Sequence, residues 1–107
     1  MADSATDNDE VVYAKAKDAA YTLDMEYRKA VQAEDWDTAN ALKPSVNEAY
    51  AKVSDARTAL IITPGIQASD ADVQKMEEIE AEINAAANTQ QLVGGAVKLV
   101  QFLTTLT

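Results

Sequence analysis

Histidine and cysteine are both missing from this chain of 107 residues. Without histidine the commonest general base and the commonest imidazole metal ligand are gone, and so is the proximal ligand of most haems. Without cysteine no disulfide, thiolate nucleophile or zinc–sulfur site exists, and redox compartment leaves no trace in the sequence. Glycine (3) and proline (2) are too scarce for the many turns of an all-β fold. Aromatic residues make up only 6% of the chain, whereas 21 positions are alanine. A core so rich in small side chains suits helices packed closely along their length, and the fold class expected is all-α.

Charge is lopsided as well. Eighteen acidic residues face nine basic ones, a net charge of −9. Such a chain repels phosphate backbones and anionic membrane surfaces, so no nucleic-acid partner is expected. No apolar run reaches the roughly 20 residues that span a bilayer. The segment Met1–Asp7 carries neither a basic nor an apolar signal region. The expectation is a cytoplasmic protein without a membrane span.

The carboxylates that remain offer no recognisable chemistry. Glu77, Glu78, Glu80 and Glu82 crowd a turn and a half of helix but point to several faces, as a solvated surface does. A calcium loop begun at Asp35 meets Ala39 at position five and Val46 at position twelve, where a bidentate glutamate belongs. Ser4, Ser45, Ser54 and Ser69 have no base beside them in sequence, and no glycine-rich phosphate cradle is present. No catalytic residue, metal site or cofactor is assigned, and the protein is not expected to be an enzyme.

What the sequence does contain is heptad spacing, the mark of helices packed lengthwise. Tyr13, Ala16, Ala20, Leu23, Tyr27 and Ala30 alternate by three and four, predicting a helix over about 9–33 capped by Asp7 or Asp9, with residues 1–8 frayed. A corner at Glu34-Asp35-Trp36-Asp37 follows, with Asp35 or Asp37 capping the next helix, over about 36–62. Its seam is Ala39, Leu42, Val46, Ala49, Val53, Ala56 and Leu60. Pro44 lies in phase within that seam and predicts a kink, or else a new helix start. Thr63-Pro64-Gly65 ends the segment.

The third helix is predicted over 70–107. Ser69 and Asp72 form a capping-box pair at its start, with Asp70 and Asp72 at the positive end of the dipole. Its seam runs Met76, Ile79, Ile83, Ala86, Gln90, Val93, Val97, Val100 and Thr104, and a second row, Leu92, Ala96, Leu99, Leu103 and Leu106, appears only after Gln91. Short connections then give one domain over 1–107: an antiparallel up-down-up three-helix bundle with a long third helix. That helix is either continuous or broken at Gly94-Gly95 into a short fourth. At about 1.5 Å per residue it would reach roughly 57 Å against roughly 40 Å for the second, leaving its apolar end overhanging.

An overhanging apolar surface on a soluble chain marks a contact site. The expected function is therefore non-catalytic: protein–protein interaction or assembly through the C-terminal helix, with a homo-oligomer, a dimer by preference, as the state in solution. The residues expected to carry it are Leu92, Val93, Leu99, Phe102, Leu103 and Leu106, with Trp36 as a second anchor or as the cap on one end of the core. The rival reading is an acidic adaptor, chaperone or inhibitor that binds another protein, basic or helical.

Overall fold

A computed structural model describes residues 4–62 and 68–107, and the expected Thr63-Pro64-Gly65 stop and residues 1–3 lie outside them. The described chain is all-helical and compact. It comprises α1 (Ser4–Gln32), α2 (Trp36–Arg57) prolonged by a wider π-helical turn at Thr58–Ile62, α3 (Asp70–Asn84) and α4 (Thr89–Leu106). Among the described residues four helices form the bundle, not three. Each of α1 and α4 packs against both α2 and α3.

The first corner turns without glycine because Glu34 adopts the left-handed conformation, φ 57°. Asp35 N–H donates to the Ala30 carbonyl at 2.9 Å and Glu34 N–H to that of Val31 at 3.1 Å, the pairing that closes a helix over a left-handed residue. Asp35 then caps α2: its side chain accepts from Thr38 N–H at 3.3 Å and from the Thr38 hydroxyl at 2.7 Å.

All of the α2 seam from Ala39 to Ala56 is buried, and Leu60 in the π-helical turn with it. Pro44 is neither a start nor a stop, since α2 begins at Trp36 and passes through it. Pro44 and Asn40 are both exposed, so the carbonyl deprived of its donor faces water. On α1 the residues with no exposed surface are Val12, Ala16, Ala19, Ala20 and Leu23, while Tyr13 and Tyr27 only lean on the core. Asp9 does not cap α1, because that helix already runs from Ser4. It is buried and accepts from Ala68 N–H at 2.6 Å, while Asn8 donates to the Ala68 carbonyl at 3.2 Å. The start of α1 therefore holds the entry to α3.

The capping box opens α3 as its spacing predicts: Ser69 Oγ accepts from Asp72 N–H at 3.1 Å, and Asp72 Oδ2 from Ser69 N–H at 2.9 Å. What the spacing misplaces is the break. The helix ends at Asn84, and Asn88, in extended conformation, caps a new one by accepting from Gln91 N–H at 2.9 Å. Gln91 returns its amide oxygen to Ala87 N–H at 2.7 Å. Gly94 and Gly95 lie inside α4, intact. The long third helix is thus two helices, and the apolar C-terminal segment packs on α2 and α3 instead of projecting past the core.

Candidate interaction surface

This packing divides α4 into two faces. Leu92, Ala96, Leu99, Leu103 and Leu106, spaced by four and three, are buried against the other helices together with Phe102. Val93, Val97 and Val100 form the opposite stripe. Val97 is 47% exposed, and Val93 and Val100 are half-buried. Beside this stripe a shallow groove opens between α2 and α4, lined by Ser45, Glu48, Ala96, Val97, Val100 and Gln101. The two helices start side by side, with the Thr38 and Thr89 hydroxyls 3.2 Å apart.

Two adjacent glycines sit differently on these faces. A Cβ added at Gly95 would stand 2.6 Å from Ile83 Cγ1, so glycine there is what lets α3 and α4 approach. A Cβ at Gly94 would meet nothing within 4 Å. Gly94 lies on the open side, one helical turn before Val97.

The electrostatics separate the two short helices. Six carboxylates of α3 stand against Lys75 alone. By contrast α4 carries no acid, and its single cation, Lys98, turns to α3, where Nζ lies 2.9 Å from both Glu82 carboxylate oxygens. On the other side of the bundle the Tyr50 hydroxyl donates to Asp24 at 2.7 Å, and Arg28 Nε donates to the same carboxylate at 3.2 Å. Although 39% of Tyr50 stays open to water, its phenol is pushed up to about 12. Burial of the ring is the leading cause, followed by the hydrogen bond to Asp24 and the charge of that carboxylate, with Arg28 opposing. No three carboxylates converge on a possible metal position among the described residues, and none of the described helices is long and apolar enough to cross a membrane.

Set against the sequence expectation, Leu92, Leu99, Phe102, Leu103 and Leu106 are brought together, but inside the chain's own core rather than on its surface. The reason is the break at 85–88, after which α4 packs on α2 and α3. Val93 stays at the edge, packed on the core from outside. Trp36 does not close the end of the core: it is 55% exposed, on the first turn of α2. Val97, the most exposed apolar residue of α4, lies outside the expected set, because its in-phase place on the extrapolated seam reads as interior. The signal that finds it is Asn88-Thr89-Gln90-Gln91, a cap residue with glutamine three positions on, which restarts the helix and its phase.

No protein-family model matches this chain, and neither curated proteins nor solved structures show a similar one.

Proposed function

We propose that this chain is an up-down four-helix bundle acting without catalysis, in protein–protein interaction or assembly, through the outer face of α4. Support for the alternation comes from which residues meet: Asp24 with Tyr50 across the first corner, Glu82 with Lys98 across the turn at 85–88, Asn8 with Asp70 at 2.9 Å and Thr38 with Thr89. The observation that carries the functional reading is Val97. It is 47% exposed between half-buried Val93 and Val100, on a helix without a carboxylate, in a chain of net charge −9. An exposed apolar stripe on a helix without a carboxylate favours contact with protein over contact with water.

Light scattering on the size-exclusion peak over a range of concentrations tests this, with Val97→Glu as the comparison. A mass above that of one chain, returning to one chain in Val97→Glu with helicity unchanged, supports the reading. A single-chain mass for the native protein at every concentration removes it.

A second reading keeps its place because of α3, whose six carboxylates against one lysine offer an anionic face to a basic partner. Its contact weakens as salt rises, whereas an apolar contact through α4 does not.

A further inference from the structure

We infer that the occupant of the outer face of α4 is the same face of a second copy of this chain, in a two-fold pair whose helices cross antiparallel at Val97, with Val100 of each copy seated over Gly94 of the other. The inference rests on the proposed use of that face and adds its partner and its register.

Three observations point there. The first is charge. Two copies of a chain with net charge −9 repel wherever their acidic helices meet, and α4 is the one helix without Asp or Glu. The groove beside it is lined by one acid, Glu48 of α2. Lys98 is already held by both oxygens of Glu82 on the α3 side, so no like-charged pair of lysines faces across the axis.

The second is Gly94. Glycine inside a helix weakens it relative to alanine, and nothing within 4 Å of its absent Cβ explains the choice inside this fold. Gly95 has such an explanation in Ile83. A notch on the open side of α4 admits a side chain from outside.

The third is spacing. In an antiparallel pair centred on Val97, positions equally far on either side of it meet. Val97 then faces its own copy, Val100 meets Gly94, and Val93 meets Gln101, so each apolar member of the stripe has a neutral counterpart. The same patch serves both partners, so the assembly closes at two copies.

The absence of native cysteine makes the test clean. Val97→Cys carries the only thiol in the molecule, and a short bis-maleimide should link it into a covalent dimer about tenfold faster or more than it links Gln74→Cys, placed on the exposed side of α3. Gly94→Leu fills the notch and should bring the light-scattering mass from two chains to one while helicity holds. If the native protein is a dimer but Val97→Cys links no faster than Gln74→Cys, or the Gly94→Leu dimer persists, the crossing is wrong and the assembly reading stands. If the native protein is a single chain at all concentrations, both fall. A mass well above two chains overturns the closed pair.

Discussion

The inner and outer faces of α4 are both apolar and do opposite work. Leucines and Phe102 occupy one side, valines and Gly94 the other, and the helix carries only Lys98 as a charge. Composition alone does not tell the faces apart. The difference lies in what stands opposite: α2 and α3 over the first, water over most of the second. An apolar residue thus stabilises the fold or waits for a partner according to the phase in which its helix begins.

The largest effect that separates the faces should come from Leu99→Ala. Leu99 has no exposed surface, and truncation leaves a cavity costing about 2–5 kcal/mol, read by chemical denaturation. Next is Gly95→Ala, whose added methyl meets Ile83 Cγ1 at 2.6 Å; overpacking of this kind costs about 1–3 kcal/mol. Gly94→Ala has the opposite sign. With open space around its Cβ it should raise the stability of the single chain by about 0.5–1 kcal/mol, so a loss at Gly94 equal to that at Gly95 would erase the distinction between the faces. Val97→Ser should move single-chain stability by no more than about 0.5 kcal/mol while weakening association.

The smallest effect belongs to an exposed contact away from α4. Tyr50→Phe removes a hydrogen bond that water partly screens, with a loss under about 1 kcal/mol. Its signature is in pH. The phenol ionises near 10 in the unfolded chain and about 12 in the folded one, so the fold favours the neutral form. Its contribution is therefore whole below pH 10 and fades as pH rises towards 12. An ultraviolet titration of the native protein should show one late tyrosine step that Tyr50→Phe lacks.

Much of this was legible in the chain. The α2 seam from Ala39 to Leu60 is buried as spaced, and Ser69 with Asp72 forms the box its residues spell out. Met76, Ile79 and Ile83 are buried too. Beyond Ile83 the heptad continues on paper through Ala86, Gln90, Val93, Val97, Val100 and Thr104, and there it misleads. Ala85, Ala86 and Ala87 are the best helix formers, and nothing in them announces a turn. The glycines that do announce one stay helical, because about 1 kcal/mol each is outweighed by the leucine row buried on the same helix. Glu34 is hidden in the sequence for a related reason: a left-handed residue is usually glycine, and here the bonds to Ala30 and Val31 hold a glutamate there instead.

The grip of Asn8 and Asp9 on Ala68 encloses most of α1 and all of α2 within one loop of the chain. Closing a loop of that length from an open coil costs about 3–4 kcal/mol of entropy, and far less once α1 and α2 already lie together. On closure entropy alone, the grip costs least when it forms after α1 and α2 have packed together. During synthesis the order is favourable. The most apolar of the four helices, α4, is synthesised after α1, α2 and α3, so the helices it packs on precede it from the ribosome.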